Sequence, residues 1–137
     1  MIAAPIPAHE AERLADLRSL NLLDTPPEER FDRIVRLTAS VFEVPMVFIS
    51  LVDSDRQWFK AKCGVSVCQT ARDISFCAHA INQAEPTVVL DALEDDRFRD
   101  NPLVTGEPYI RFYAGCPIVG PNGMNVGTLC MADRLPR

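Results

Sequence analysis

The sequence lacks any apolar run long enough to cross a membrane. A membrane-spanning helix needs roughly 20 consecutive apolar residues, and no stretch of the 137-residue chain approaches that length. Residues 1–8 also lack the basic start and the long apolar core of a signal peptide. We therefore expect a cytoplasmic chain that makes no membrane contact.

Basic residues are in the minority. The chain has 14 Lys and Arg against 19 Asp and Glu, which gives a formal net charge of -5. Proteins that bind a phosphate backbone cluster Lys and Arg on one face. This balance argues against nucleic acid as a partner.

Paired cysteine motifs are also missing. The five cysteines, an odd number, follow no repeating spacing, so a disulfide framework is excluded and reduced thiols are expected. None of them forms the C-x2-C pair of a structural zinc site, so no metal is predicted. The positions are Cys63, Cys68, Cys77, Cys116 and Cys130.

The chain contains no internal repeat, low-complexity tract or linker. Its hydrophobic content of 47% and charged content of 24% are typical of a soluble globular protein. One domain commonly holds roughly 100 to 150 residues. We predict a single domain over residues 1–137, truncated before a C-terminal signalling helix because residues 135–137 resemble a connector.

The first third of the sequence predicts two helices. Leu14, Leu17 and Leu20 recur at near-helical spacing in an otherwise polar segment. Thr25 then precedes two prolines and Glu28, a pattern that places Thr25 at the N-cap and Glu28 in a capping box. The predicted buried face of this second helix consists of Phe31, Ile34, Val35, Thr38 and Phe42.

After Pro45 the pattern changes to that of strands. Residues 46–52 are almost all apolar, as in a strand covered on both faces. A Pro-Asn-Gly turn at 121–123 joins two further strands as a hairpin. Strands are predicted at 46–52, 57–64, 87–91, 110–119 and 124–132, a short helix at 75–83, and a long loop at 92–108.

This order predicts an α+β fold. An antiparallel sheet of five or six strands carries the N-terminal helix pair on one face. The long loop and the short helix cover the other face. A cavity between the sheet and this cover is the natural ligand site.

Several segments resemble GAF domains of the type found ahead of histidine kinase, PAS and GGDEF modules. They include LLDTPPEERFD at 22–32, SLVD at 50–53, DRQWFK at 55–60, SFCAHAI at 75–81, NPLVTG at 101–106, IRFYAG at 110–115 and GTLC at 127–130. The resemblance implies a PAS-like sheet with the helix pair opposite the pocket and available for a parallel homodimer. It implies a sensory domain without chemistry of its own, attached to a histidine kinase or a diguanylate cyclase.

Aromatic and polar residues from the segments around the expected cavity are the candidate ligand contacts. They are Trp58, Phe76, Cys77, His79, Asp91, Arg97, Phe98, Asn101, Arg111, Phe112 and Tyr113. A small polar molecule fits best, and the two arginines among the candidates allow it to be anionic. The alternative is core packing and loop anchoring, with Arg97 or Arg111 paired to Asp91, Asp95 or Asp96.

Cys77 and His79 suggest a nucleophile pair or a metal site, but helix geometry opposes both. Side chains two residues apart on a helix point roughly 200° apart and cannot converge on one atom. Cys77 is therefore expected in the core and His79 hydrogen-bonded near the cavity. A thiol in a first helical turn favours its thiolate, which leaves a redox role for Cys77 open.

Cofactors are not predicted. A bilin needs the adjacent Cys-His pair of phytochrome-like GAF domains, and Ala78 interrupts it here. Neither haem nor a metal is expected.

Two other functions stay open. One is a thiol enzyme similar to free methionine-(R)-sulfoxide reductase, using Cys63, Cys68 or Cys77. The other is a dimerisation spacer that binds no ligand.

Overall fold

The computed structural model describes residues 1–137 and contains four helices and six strands. The helices are α1 (Glu10–Ser19), α2 (Glu29–Phe42), α3 (Phe76–Ala80) and α4 (Pro102–Thr105). The strands are β1 (Met46–Val52), β2 (Arg56–Cys63), β3 (Gln69–Ala71), β4 (Thr87–Val89), β5 (Phe112–Val119) and β6 (Asn125–Asp133). None of the helices has the length and apolar character to span a membrane.

The six strands form one antiparallel sheet in the order β3-β2-β1-β6-β5-β4. β1 lies near the centre, and all seven of its residues are buried. This confirms the sequence prediction, because a strand covered on both faces has no polar side to present. The α+β class and the segregation of the helix pair are confirmed as well.

Alternate residues of β1 pack against different layers. Val47 and Ile49 contact Val35 of α2, while Leu51 packs with Leu17 of α1. The residues between them point to the opposite face, where α3, α4 and the connecting segments form the cover. The cavity described below lies on this second face.

Polar anchors fasten the helix face. Asp16 of α1 is fully buried, and its carboxylate accepts hydrogen bonds from the backbone N–H groups of Asn122 and Met124 in the β5–β6 turn. Lys60 of β2 is also buried, and its ammonium group lies 2.7 Å from a carboxylate oxygen of Glu28. These contacts fix both helices against the sheet.

The predicted start of α2 is wrong. The helix begins at Glu29 instead of Pro26, and Glu28 occupies the N-cap position without a side-chain capping bond. The Thr25 hydroxyl donates to the Leu22 carbonyl and accepts a 2.7 Å hydrogen bond from Lys60. A buried lysine therefore takes the oxygen that would have capped the helix.

The predicted buried face of α2 is only partly correct. Val35 is buried and Phe31 is half-buried, but Ile34 and Phe42 are exposed. The apolar residues of α2 span more of its circumference than the sheet can cover. A solvent-facing apolar stripe is left along the helix.

The covering segment between β4 and β5 is more ordered than a loop. It contains a 3-10 turn at Ala92–Glu94 and the helix α4, whose first turn is capped by Asn101. The Asn101 side chain accepts from the Leu103 N–H and donates to the Ile74 carbonyl. The short strand β3 is a further element that the sequence did not predict.

Candidate ligand cavity and its thiol pair

A cavity of about 50 Å³ lies between the sheet and its cover. Of its 14 lining residues, 11 are hydrophobic. The apolar walls include Phe48, Phe59, Phe76, Leu103, Ile110 and Ala132. Such a lining selects an apolar group.

The cavity opens into a larger cleft of about 690 Å³. The two spaces share wall residues from the β2–β3 loop, from β3 and from the α4 region, among them Val65, Thr70 and Pro108. Glu107 and Arg134 lie only on the outer cleft. The outer cleft is therefore a charged mouth beside an apolar interior.

Gly64 shapes the loop that forms one side of this mouth. Its φ of +86° lies in the left-handed region, and a Cβ at this position would collide with the Pro45 carbonyl oxygen. Only glycine combines this conformation with so close a backbone approach.

Two thiols lie at the inner end of the cavity. Cys77 in the first turn of α3 and Cys130 on β6 both line it, and neither borders the outer cleft. Their Sγ atoms are 3.6 Å apart. Both are buried and unbridged.

Hydroxyl groups converge on the Cys77 sulfur. Thr128 donates from β6 at 3.0 Å, and Tyr113 donates from β5 at 3.3 Å. Together with the Cys130 thiol, these hydrogen bonds lower the pKa of Cys77 despite its burial. The same contact with Cys77, with burial, raises the pKa of Cys130.

An aromatic layer supports the cavity from behind. Phe76 lines the cavity and stacks on Phe98 with ring centroids 4.0 Å apart. His79 meets the edge of Phe98, and its Nε2–H donates to the Ile2 carbonyl at 2.9 Å. Burial lowers the pKa of His79. Phe98 and His79 thus stabilise the wall but do not border the cavity.

Both arginines among the candidates are paired with aspartates. Arg97 binds Asp95 through two hydrogen bonds, and Arg111 binds Asp91 through two more, at 2.8 and 2.9 Å. This is the loop-anchoring arrangement given above as the alternative. Neither guanidinium reaches the cavity.

The remaining candidates lie elsewhere. Trp58 packs on the helix face of the sheet with Leu17, opposite the cavity. Phe112 is buried under the Arg137 guanidinium, and Asn101 serves as the cap of α4. Of the eleven candidates, the structure brings only Phe76, Cys77 and Tyr113 to the cavity.

Several wall residues carried no signal in the sequence. Phe48 lies in a continuous apolar run, where no alternation distinguishes one face from the other. Cys130 and Ala132 lie on β6, and only the pairing of β6 with β1 and β5 places them opposite α3. A correct prediction of how β6 pairs with β1 and β5 would have placed Cys130 on the cavity face.

A sheet that carries anchored helices on one face and a covered cavity on the other defines an α+β domain with a candidate binding cavity. Residues 26–137 match the family model of the GAF domain. The chain therefore belongs to the GAF family. The resemblance drawn from the sequence is thereby confirmed.

A cyclic di-GMP phosphodiesterase from Pseudomonas aeruginosa is 46% identical to this chain over 137 residues. The match covers all of this chain and 23% of the relative's length, so the chain spans about a quarter of that protein. The relative is named as a phosphodiesterase. The expectation that the parent protein is a histidine kinase or a diguanylate cyclase is therefore contradicted.

Solved structures share the fold at low sequence identity. The GAF domain of an Acinetobacter phosphoenolpyruvate-protein phosphotransferase superposes with a TM-score of 0.61 at 18% identity, over 92% of this chain and 79% of that one. Free methionine-R-sulfoxide reductase from Neisseria meningitidis, in complex with its substrate, gives 0.63 at 17% identity, over 99% and 83%. These similarities establish the fold alone.

Proposed function

We propose that this chain is the small-molecule sensory domain of a cyclic di-GMP phosphodiesterase. The observation that carries the proposal is the 46% identity along the whole chain to a protein of that name, of which it spans 23%. A segment of this size leaves room in the relative for separate catalytic parts. The chain would then supply the input that adjusts phosphodiesterase turnover.

The cavity supports a ligand with an apolar end and a polar end. The interior offers aromatic and aliphatic walls, whereas the mouth offers Glu107 and Arg134. An anionic ligand bound by Arg97 and Arg111 is less favourable, because each guanidinium already holds an aspartate. The inner 50 Å³ accepts only a few heavy atoms of the ligand.

Native mass spectrometry of the purified chain, compared with its denatured mass, tests for such a ligand. The expected result is an additional small mass that is lost on unfolding, or that appears when an apolar small-molecule library is added. Ala132→Val narrows the inner cavity and should abolish the additional mass.

The matched control is Ala114→Val on the neighbouring strand β5. Ala114 pairs with Met131, which belongs to the helix face of the sheet. This variant should retain the additional mass. Binding that Ala132→Val and Ala114→Val affect equally would contradict the cavity as the ligand site, and no binding at all would favour the dimerisation spacer.

We also propose that α2 mediates a homodimer. Ile34, Leu37 and Val41 are exposed at spacings of three and four residues, the spacing of a coiled-coil seam. A second copy of α2 would cover this stripe. Light scattering should show a dimer that Leu37→Glu dissociates and that Leu93→Glu, an exposed change on the cover, leaves intact.

The thiol-enzyme alternative requires cysteines that share one site. Cys63 and Cys68 border a groove beside Trp58 and Lys62, whereas Cys77 lies inside the cavity. The three thiols named for this function therefore do not meet. Thiol-dependent reduction of free methionine sulfoxide by the purified chain would favour this alternative.

A further inference from the structure

The buried thiol pair is distinct from every other cysteine in the chain. Cys77 and Cys130 lie 53 positions apart in the sequence, but their sulfur atoms are 3.6 Å apart at the inner end of the cavity. Cys68 and Cys116 are exposed, and Cys63 is half-buried on the other side of the sheet. Cys77 and Cys130 are the pair whose sulfur atoms lie in contact.

The surroundings of Cys77 suit a thiolate better than a thiol. A neutral thiol sulfur is a weak hydrogen-bond acceptor. Here the hydroxyls of Thr128 and Tyr113 both donate to the Cys77 sulfur, and the Cys130 sulfur lies 3.6 Å away. Two hydroxyl donors on one sulfur are best satisfied when that sulfur carries negative charge.

The cavity gives this sulfur access to small molecules. Both thiols form part of its wall, and it connects with the outer cleft through shared residues. A space of about 50 Å³ can hold a small hydroperoxide. A bulky thiol or disulfide cannot enter it.

We propose that Cys77 and Cys130 are a redox site, in which a small hydroperoxide converts the two thiols into a disulfide inside the cavity. The Cys77 thiolate attacks one peroxide oxygen, the O–O bond breaks, and the released oxygen leaves as water or alcohol after taking a proton. Cys77 then carries a sulfenic acid.

The Cys130 thiol completes the reaction. Its sulfur attacks the Cys77 sulfur, the S–O bond breaks, and the hydroxide leaves as water with the proton of the Cys130 thiol. The two thiols lose two electrons, and the peroxide gains them. The sulfur atoms approach by roughly 1.5 Å to reach the disulfide length of about 2.05 Å.

The disulfide would change the cavity itself. It would link α3 in the cover to β6 in the sheet, the two layers that enclose the space. The ligand cavity would thus receive a second, oxidative input. This inference holds whether or not the cavity binds an organic ligand.

Alkylation mapping after peroxide treatment tests the site. The chain is exposed to hydrogen peroxide at about one equivalent, quenched in denaturant with an alkylating reagent, digested and analysed by mass spectrometry. The expected product is a peptide pair joined through Cys77 and Cys130, with both thiols protected from alkylation. The same chain treated with reductant in denaturant should regain both thiols.

Variants separate the two steps. Cys130→Ser should stop the reaction at a sulfenic acid on Cys77, which dimedone traps when it is added with the denaturant, while Cys77→Ser should leave Cys130 as a free thiol. Cys116→Ser should form the disulfide at the wild-type rate. Thermal melting confirms that each variant is folded before it is scored.

The hydroxyl donors provide a second measurement. Thr128→Val removes one donor and should slow oxidation by about tenfold near pH 5, below the Cys77 pKa of about 6, as a rise of one unit in that pKa would. Thr87→Val is the matched control, because the buried Thr87 hydroxyl has no hydrogen-bond partner. It should leave the rate unchanged.

The proposal is overturned if Cys77 and Cys130 remain free while the exposed cysteines oxidise. It is equally overturned if Cys77 forms its disulfide with another cysteine, or if Thr128→Val and Thr87→Val react at the same rate. None of these results depends on bound ligand, so the sensory proposal would be judged separately by native mass spectrometry.

Discussion

The two faces of the sheet differ in what their buried polar groups do. On the helix face, the carboxylate of Asp16 and the ammonium group of Lys60 are satisfied by fixed partners in turns and caps. On the cavity face, the thiol of Cys77 is buried with two hydroxyl donors, Thr128 and Tyr113. That chemistry adjoins a space that small molecules can enter.

The difference separates structural from functional burial. A buried charge whose hydrogen bonds are all made within the protein holds secondary-structure elements together. It has no unpaired donor or acceptor left for a ligand. A cavity, by contrast, costs packing energy that a purely structural domain would avoid. We therefore expect substitutions on the helix face to affect stability and substitutions in the cavity to affect the proposed sensory function.

The largest expected effect is on the helix face. Asp16→Ala leaves the N–H groups of Asn122 and Met124 without their acceptor, and should lower the free energy of unfolding by about 3 kcal/mol. Denaturant unfolding measures this loss. The exposed Glu12→Ala on the same helix should change stability by less than about 0.5 kcal/mol. Equal losses of stability in the two variants would contradict the structural role of Asp16.

On the cavity face, adding atoms should stabilise the domain. Ala132→Val places two methyl groups into the cavity and should raise the free energy of unfolding by about 1 kcal/mol. Ala114→Val, on the other face, should stay within about 0.5 kcal/mol of the wild type. A loss above about 1 kcal/mol in Ala132→Val would mean that the space is already filled.

A smaller expected effect concerns the pH dependence of stability, through His79. Because burial lowers the pKa of His79, the unfolded chain takes up a proton at this position more readily than the folded chain does. Stability is then complete above the ordinary value of 6.5 and decreases as the pH falls below it. Melting temperatures measured as a function of pH should show this slope in the wild type and in His9→Gln. His79→Gln should lack it, and a slope that persists would contradict the assignment.

The smallest expected effect is on the pH dependence of stability in acid, and it arises from Glu10 on the helix face. Burial tends to raise the pKa of Glu10, but hydrogen bonds from Arg13 and Arg72 outweigh it and place the pKa below its ordinary value of 4.5. A lowered carboxyl pKa stabilises the folded state above 4.5, and this contribution is lost as the pH falls through the folded pKa. Glu10→Gln should flatten the acid limb of the stability curve, while Glu12→Gln should reproduce the wild type.

The sequence predicted the strands better than the site. The apolar run at 46–52 and the turn at 121–123 are local signals, and both elements lie where they were expected. The cap at Thr25 failed because Lys60, distant in sequence, binds the same oxygen. Competition from a residue distant in the sequence cannot be predicted from a local sequence pattern.

The candidate contacts show the same limit. Phe76 and Tyr113 border the cavity, but Trp58 lies on the other face, and the arginines hold the cover in place. Residue type suggested a ligand contact equally well in each case. Only the strand register decides which side chain faces the cavity.

The central claim is that the cavity face carries the signal to a phosphodiesterase. Its most direct test is a chimera in which this chain replaces the matching segment of the Pseudomonas aeruginosa phosphodiesterase, with cyclic di-GMP hydrolysis as the measurement. The account predicts that Ala132→Val in the chimera changes turnover severalfold, whereas Ala114→Val leaves it unchanged. Turnover that is the same in the unmodified chimera and in both variants would contradict the account.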